Sequence, residues 1–417
     1  MKLKGVDNKI LSNIFSLLSV QGALYIIPLI TLPYLVRTLG VENYGVFGFS
    51  LAIVSYMSLI VDYGFNITAT KTGAEIRYDK NKLSKLFFEI LYSKLFMFII
   101  CSLSSILFSF FVENNIFNKD IIFVLMFTVF SQVIFPIWFF QAIEELKLVA
   151  TLNFISKSLS VPLIFILIND EKDLIKLAVI HAITTIIPAI YSVYYIHIRK
   201  LVFFYKPSLN SIVSQIKNGW HIFLSGISIS FYSTIVTVFL GIFSGATETG
   251  YFVAADRLRK AVQGISGPIS QSFYPRINSL INTNKKSAIN LIKVLYKIQF
   301  IVTFILSSLL FIFSEEIVEV LYGNGFVQSI VILKVLSYVP FFVSMSNASG
   351  ICVIVSFGFN RLFSKIMMFS GGVGVALSFL LINSYGAIGS GLSILISEFI
   401  IAIIMIYFVI KLKLLKQ

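Results

Sequence analysis

The stretch "YFVAADRLRKAVQGISGPISQSFYPR", residues 251–276, crowds four charged residues into five consecutive positions of an otherwise apolar region. These residues are Asp256, Arg257, Arg259 and Lys260. At the centre of a membrane-spanning helix, four charges cost about 10 kcal/mol, whereas the neighbouring apolar side chains return only about 3 kcal/mol. If this segment crosses a bilayer, its charged face therefore needs water or protein around it.

The composition predicts an all-α integral membrane protein. Of the 417 residues, 57% are hydrophobic and 12% are charged, whereas soluble domains average roughly 45–50% apolar and 25% charged residues. A span needs about 20 apolar residues. The runs of that length predict about 12 transmembrane helices, near residues 11–38, 44–66, 84–112, 120–143, 148–168, 174–198, 217–243, 250–273, 290–314, 326–356, 362–384 and 386–410. The first run shows no cleavage site and is expected to stay as an uncleaved span.

The distribution of charge predicts the orientation. With the N-terminus on the cytoplasmic side, the outer side carries only four basic residues, Arg37, Lys119, Lys172 and Lys176, and several acids. Since loops on the cytoplasmic side are enriched in Lys and Arg, both termini are expected in the cytoplasm. Most of the net charge of +14 is then a topology signal, and no nucleic-acid partner is expected.

Six basic residues remain inside predicted spans, and orientation does not explain them. They are Lys94, Lys157, Arg257, Arg259, Lys260 and Lys334. On a helical wheel, Asp256, Arg259 and Lys260 share one face with Gln263, and Leu258 and Val262 lie on the opposite face. Charges within a membrane usually face a hydrated interior, and the pattern therefore predicts a helix that lines a cationic cavity.

A structural alternative exists for part of this charge. Asp256 and Lys260 are one helical turn apart and can pair with each other, which would leave Arg257 and Arg259 uncompensated. Together with Lys94 and Lys334 in other spans, the uncompensated cations favour an anion site. Guanidinium and ammonium groups suit phosphate or pyrophosphate, and inorganic anions would fit as well.

An internal repeat predicts the domain organisation. At an offset of 205, residues 13–45 match residues 218–250, so that Gly40 pairs with Gly245. At an offset of 204, "FPIWFF" (135–140) matches "VPFFVS" (339–344). We expect an N-terminal six-helix bundle, 1–205, and a C-terminal six-helix bundle, 206–417, as parallel repeats. Such repeats suit alternating access around a site between them.

Four blocks, in order along nearly the whole chain, resemble the Wzx-type O-antigen and polysaccharide flippases. They are "PLITLPYLVRTLGVENYGVFGFS" (28–50), "DYGFNITATKTGAEIR" (62–77), "FPIWFFQAIEELKLVATLNFISKSLSVPLIF" (135–165) and "GYFVAADRLRKAVQGISGPISQSFYPR" (250–276). This branch shares a superfamily with lipid II flippases and multidrug-efflux transporters. One departure is Gln141-Ala142, where the family often has Gln-Gly, which puts a close backbone approach there in doubt.

The resemblance implies both a fold and a function. It implies a V-shaped transporter similar to the MATE family, with a cationic central cavity open alternately to each side. The substrate would be an undecaprenyl-pyrophosphate-linked oligosaccharide, moved from the cytoplasmic to the outer leaflet of the bacterial inner membrane. Membrane lipids and a polysaccharide polymerase are the expected partners. Neither a cofactor nor an enzymatic activity is expected.

Candidate site residues follow from charge and position. We expect the pyrophosphate to meet cavity cations, which are Arg257, Arg259, Lys260, Lys94 and Lys334. Arg37 ends the first span and has either a gating role or an interfacial one. The acids Glu398, Asp256 and Asp62 are candidates for coupling to H⁺ or Na⁺, since carboxylates within membranes often serve this purpose. Glu398 lies deepest, whereas a structural partner is as plausible for Asp62.

Other functions and sites fit less well. A membrane glycan polymerase or ligase usually carries a large outer loop, whereas the predicted outer loops are short. A multidrug or cation exporter would favour acids in its cavity, and a channel or scaffold would not need the repeat. Cys101 and Cys352 lie in apolar runs without a disulfide framework. The three histidines, His181, His197 and His221, lack the spacing of metal ligands.

Overall fold

A computed structural model of the protein describes the backbone of residues 8–111 and 116–415. Within these ranges it describes all side chains except those of 8–26, 108–111, 221, 222, 225–233 and 282. The α-helices are α1 (Asn8–Asp62), α2 (Phe65–Glu75), α3 (Lys80–Phe111), α4 (Lys119–Ile134), α5 (Ile137–Ala142), α6 (Leu146–Leu167), α7 (Leu174–Ile198), α8 (Leu209–Gln263), α9 (Ser266–Thr283), α10 (Lys285–Ile312), α11 (Ser314–Tyr322), α12 (Gln328–Leu336), α13 (Val339–Ser349) and α14 (Asn360–Lys411). Short 3₁₀ turns at Glu171–Asp173 and Asn324–Phe326 and a π-helical turn at Gly350–Val355 complete the described elements.

The long apolar helices are those of a multi-pass membrane protein. The prediction of an all-helical membrane fold is confirmed. In the described part of the chain, nine helical segments are long and apolar enough to cross a bilayer. A helix satisfies every backbone hydrogen bond within itself, which lipid requires. The expected count of twelve spans stays a prediction. The basic ends of the predicted topology, at residues 1–7 and 416–417, lie outside the described residues.

The helices group into two compact units. The large unit comprises Met1–Arg37 and Phe231–Gln417, and the small unit comprises Thr38–Ser230. The boundaries fall inside α1 and α8, both of which continue from one unit into the other. The predicted division into halves 1–205 and 206–417 stays a prediction.

α1 and α8 are each kinked at a glycine. Gly40 in α1 has φ 73° and ψ 173°, and Gly245 in α8 has φ 82° and ψ −173°. Backbone with φ in this range strains any residue that carries a Cβ, which explains glycine at both positions. The two glycines that the sequence pairs at an offset of 205 therefore share one backbone conformation.

The two segments that the sequence matches at an offset of 204, residues 135–140 and 339–344, each adjoin an interruption of a helix. The helical path breaks between Ile134 and Ile137, and again between Leu336 and Val339. Pro136 and Pro340 lie at these breaks, where a residue without an N–H ends a run of helical hydrogen bonds.

The predicted span 250–273 is two helices, which corrects the expectation of one. α8 ends at Gln263 and α9 begins at Ser266. Pro268 explains the break, because it has no N–H to offer the carbonyl of Gly264 four residues earlier. The small unit has a similar break between Asp62 and Phe65.

Each unit has its own packed core. In the small unit, Trp138, Phe139 and Phe140 are fully buried, and Phe87 contacts Phe139 edge to face. In the large unit, the core is built from α9, α10, α13 and α14 around Phe273.

Candidate functional site

Four residues of α8, here called the α8 cluster, are Asp256, Arg257, Arg259 and Lys260. Asp256 holds two of the cations at once. Its Oδ1 accepts a hydrogen bond from Arg259 Nε at 2.7 Å, and its Oδ2 lies 2.7 Å from Lys260 Nζ. The third and fourth residues after a given residue both lie on the same side of a helix, and one carboxylate can therefore reach both. The prediction that Asp256 compensates one cation alone is wrong.

The cations of the α8 cluster differ in access. The side chains of Arg259 and Asp256 are 7% and 8% exposed, whereas that of Lys260 is 53% exposed. Arg259 also donates to Gln263, the last residue of α8. Arg259 is thus held inside the protein, and the expectation that its guanidinium faces an open cavity is corrected. The side chain of Lys260 remains accessible from outside the protein.

The α8 cluster keeps a positive charge. Arg257 is exposed and forms no ion pair with any residue in the described ranges. Three cations thus accompany one acid, inside the candidate span Thr234–Ile281. Charges at such a depth usually mark a substrate or ion pathway. Chemically, the exposed cations can bind an anion while the buried pair holds the helix in place.

An apolar cavity of about 660 Å³ lies beside the same helix in the large unit. Val262, in the turn after Arg259, contributes its wall on α8. The remaining lining residues come from α10, α11 and the residue between them, and they are Leu306, Leu309, Leu310, Phe313, Glu316, Ile317, Val320 and Leu321. The α8 cluster and this apolar cavity therefore both adjoin α8.

Arg37 and Lys334 contact α11, and no hydrogen bond or ion pair of the described residues joins them to the α8 cluster. Arg37 Nε donates to the carbonyl of Leu321 at 3.0 Å, and its Nη2 donates to that of Val320. A cation suits the C-terminal end of a helix, where unpaired carbonyls carry partial negative charge. Lys334 Nζ lies 4.0 Å from Glu315 Oε2. The expectation that both line an anion site stays a prediction.

Lys94 and Asp62 form a buried pair in the small unit. Lys94 Nζ lies 3.1 Å from Asp62 Oδ1, and the two side chains are 3% and 25% exposed. Lys94 was expected at the pyrophosphate and Asp62 at a coupling site. The structure instead gives each of them the other as its partner, which is the structural alternative for Asp62.

The sequence analysis missed Glu89, a buried acid on α3 in the small unit. Its Oε2 accepts a hydrogen bond from Gln215 Nε2 at 2.8 Å. The signal was available, because Glu89 is a carboxylate inside the predicted span 84–112, and the same criterion selected Asp62 and Glu398.

The remaining candidates are placed as follows. Glu398 is buried on α14 in the large unit. Cys101 and Cys352 are buried free thiols. Within the described ranges, His, Cys, Asp and Glu residues form no group suited to a metal ion. The side chain of His221 lies outside the described residues.

The second and third sequence blocks pack against each other in the small unit. Thr70 Oγ1 donates to Gln141 Oε1 at 2.9 Å. A Cβ added to Gly73 would lie 2.9 Å from that of Ala142. The close approach that Gln141-Ala142 put in doubt is therefore present, with the glycine on the opposite helix.

The packing of α2 against α5 continues in the loop after α2. Arg77 forms an ion pair with Glu144, and the hydrogen bond to Glu144 raises the pKa of Arg77. This loop is thereby tied to the turn that follows α5.

The fold is shared with solved helical membrane proteins. It is similar to the solved "Lipid II flippase MurJ, inward closed conformation", with a TM-score of 0.74 and 14% identity, covering 93% of this chain and 85% of that one. It is also similar to the "Inward-facing conformation of a multidrug resistance MATE family transporter of the MOP superfamily", with a TM-score of 0.73 and 14% identity, covering 94% and 99% of the two chains. Identities this low speak for the fold alone.

Comparison of sequences narrows the class to a family. The family model described as "Polysaccharide biosynthesis protein" matches residues 10–281. The "Putative O-antigen transporter" of Escherichia coli (strain K12) is 32% identical over 405 residues, which are 97% of each chain. The chain belongs to the polysaccharide biosynthesis protein family, and the resemblance read from the four blocks is confirmed.

Proposed function

We propose that this protein is a flippase for lipid-linked oligosaccharide. Its substrate is an undecaprenyl-pyrophosphate-linked repeat unit of O-antigen or a related surface polysaccharide. The protein moves this unit from the cytoplasmic to the outer leaflet of the bacterial inner membrane by alternating access, with both termini in the cytoplasm. Membership of the family and the printed name of the Escherichia coli relative support the substrate class.

The observation that carries the proposal is the positive α8 cluster within a membrane span. A pyrophosphate is a compact polyanion, and Arg and Lys are the side chains that bind such groups most strongly. Arg257 and Lys260, the exposed cations, bind the pyrophosphate. Arg259 acts as a positioning residue through Asp256 and Gln263. Lys94, Lys334 and Arg37 have partners of their own, and the proposal therefore narrows to α8.

The apolar cavity beside Val262 suits the lipid part of the same substrate. Its wall is aliphatic and aromatic apart from Glu316. A stretch of polyprenyl chain there would leave lipid for an equally apolar surface at little cost. Val262 lies on the face of α8 opposite Asp256, Arg259 and Lys260. Isoprene units in this cavity would therefore be held on the other side of the helix from the pyrophosphate.

Energy coupling is assigned to Glu398. Glu398 is a buried carboxylate on a membrane-spanning helix, a common type of coupling site. Vesicles that carry Glu398→Gln should show substrate-dependent H⁺ or Na⁺ uptake well below that of the parent protein.

The main alternative is an exporter of drugs or other small molecules, because the fold also resembles a multidrug transporter. Exporters of cationic compounds need acids at their binding surface, whereas the α8 cluster has the opposite sign. The charge therefore favours the phosphorylated lipid.

Deletion of the gene tests the proposal. In the deletion strain, the lipid-linked oligosaccharide should accumulate on the cytoplasmic leaflet, and the parent gene should restore its passage to a polymerase on the outer side. Equal amounts on the two leaflets in the deletion strain would overturn the proposal. A change in drug susceptibility alone would favour the exporter.

A further inference from the structure

The chain between α7 and α8 is fixed on the first turns of α3 in the small unit. The backbone N–H of Phe203 donates to Ser84 Oγ at 2.8 Å. The Phe204 ring packs against Phe88, with the ring centroids 5.2 Å apart. Residues 199–206 and the residues Lys80, Ser84, Lys85 and Phe88 thus form one continuous surface, here called the linker surface.

The linker surface combines cations with aromatic rings. Lys80 Nζ lies 4.3 Å from the centroid of Phe203, and Lys85 Nζ lies 5.8 Å from that of Tyr205. Three more exposed cations come from the linker itself, and they are Arg199, Lys200 and Lys206. Their charges are available for an external anion, because none of these five cations is ion-paired with an acid in the described chain.

Nearby acids are already engaged. Asp79 pairs with Lys82 at 3.2 Å, and Glu89 is buried and accepts from Gln215. A third acid, Glu145, lies near Arg199, since both hydrogen-bond to Tyr195. The part of the linker surface around Lys80 and Lys85 thus carries charge of one sign.

The linker surface lies where two membrane spans end. α3 begins at Lys80, the first residue of the candidate span Lys80–Leu107, and the linker follows the span that ends at Ile198. Phe203 and Phe204 are 53% and 76% exposed. Large aromatic side chains are stable in such positions when they enter the interfacial layer of a bilayer.

We propose that the linker surface binds the headgroup of an anionic phospholipid of the surrounding leaflet. Lys80, Lys85 and Arg199 attract the phosphate, and Phe203 and Phe204 enter the layer between headgroups and acyl chains. A zwitterionic lipid binds more weakly, because its ammonium group is repelled by the same cations. This binding site is separate from the transport of substrate and does not depend on the proposed function.

Lipid titration of the purified, detergent-solubilised protein tests the proposal. Bound phosphatidylglycerol and phosphatidylcholine are counted by native mass spectrometry for the parent protein and for Lys80→Gln/Lys85→Gln. Each cation near an anionic headgroup contributes about fivefold in affinity, and the double variant should bind phosphatidylglycerol about 30-fold more weakly. The control is Lys82→Gln on the same helix, whose ammonium already pairs with Asp79, and its affinity should equal that of the parent.

Three results would overturn the proposal. The first is equal affinity of the parent for the two lipids. The second is undiminished binding of phosphatidylglycerol by the double variant. The third is the same loss in Lys82→Gln. Should Lys80→Gln/Lys85→Gln fail to purify as a folded protein, Lys200→Gln/Lys206→Gln replaces two exposed cations of the linker and is expected to give a comparable loss.

Discussion

Arg259 Nε and Asp256 Oδ1 lie 2.7 Å apart, and both side chains are less than a tenth exposed. A buried ion pair is stable only while both partners are present, because each would otherwise be a lone charge away from water. The α8 cluster therefore has two parts with separate roles. The buried pair holds α8 in shape just before its break at Gly264. Of the exposed cations, Arg257 forms no ion pair in the described chain, and Lys260 contacts Asp256 while its side chain stays half exposed.

Asp256→Asn should destabilise the protein strongly. It leaves Arg259 buried without its carboxylate, and the expected loss of stability is about 3–5 kcal/mol. The double variant Asp256→Asn/Arg259→Gln should recover part of this loss. Thermal unfolding in detergent measures the effect, with Lys260→Gln as the exposed control, expected near the parent. An Asp256→Asn variant that unfolds at the parent temperature would contradict this account of the pair.

In the ion pair of Lys94 and Asp62, the two single substitutions should destabilise the protein to different extents. Asp62→Asn leaves Lys94, which is 3% exposed, as an uncompensated buried charge and should cost about 3 kcal/mol. Lys94→Gln leaves Asp62, which is 25% exposed and closer to water, and should cost less. Unfolding temperatures of both variants and of the double variant decide the point. Equal losses, or a greater loss for Lys94→Gln, would show that burial does not set the order.

The contact between α2 and α5 should tolerate one methyl group and no more. Gly73→Ala places its Cβ against that of Ala142 and should cost about 1–3 kcal/mol through overpacking. Gly73→Ala/Ala142→Gly moves the methyl group to the other helix and should restore most of the stability. If the double variant is no more stable than Gly73→Ala, the contact with the Cβ of Ala142 is not the cause of the loss.

The start of α3 should be sensitive to acid. Asp79 accepts a hydrogen bond from the backbone N–H of Lys82 at 3.1 Å, and this bond, with the Lys82 ammonium, lowers the pKa of Asp79 from 3.8. Because the folded-state pKa is lowered, the contribution is complete well above pH 3.8 and is lost as the pH falls through the lowered pKa. Between about pH 5 and about pH 3, the unfolding temperature of the parent should fall faster than that of Asp79→Asn. Parallel curves would rule out this contribution.

Much of the fold could be predicted from local pattern. Apolar length and charge asymmetry predict helices that cross a membrane, and the offset of 205 pairs Gly40 with Gly245, which share a conformation. The break at Gly264 was missed, because a hydropathy window averages over the two residues that interrupt the helix and over Pro268 behind them.

The candidate site was predicted less completely, because the sequence does not show which side chains are buried or which distant residues contact each other. Spacing places both Arg259 and Lys260 within reach of Asp256, but it cannot tell that Arg259 is buried whereas Lys260 is half exposed. Arg37 contacts carbonyls more than 280 residues away in the chain, and no pattern within a single segment can indicate such a partner. Gly73 and Ala142 show the same limit, since only tertiary packing brings them together.

The most direct measurement of the central claim is the amount of surface polysaccharide in a deletion strain that carries Arg257→Glu/Lys260→Glu. Both side chains are exposed, so that the variant should reach the membrane at the parent level, as checked by immunoblot. The control is Lys293→Glu, which reverses an exposed cation of α10 outside the α8 cluster. The account expects polysaccharide to be nearly absent in the double variant and normal in the control. Normal polysaccharide in the double variant would contradict the claim that the cations of α8 bind the pyrophosphate.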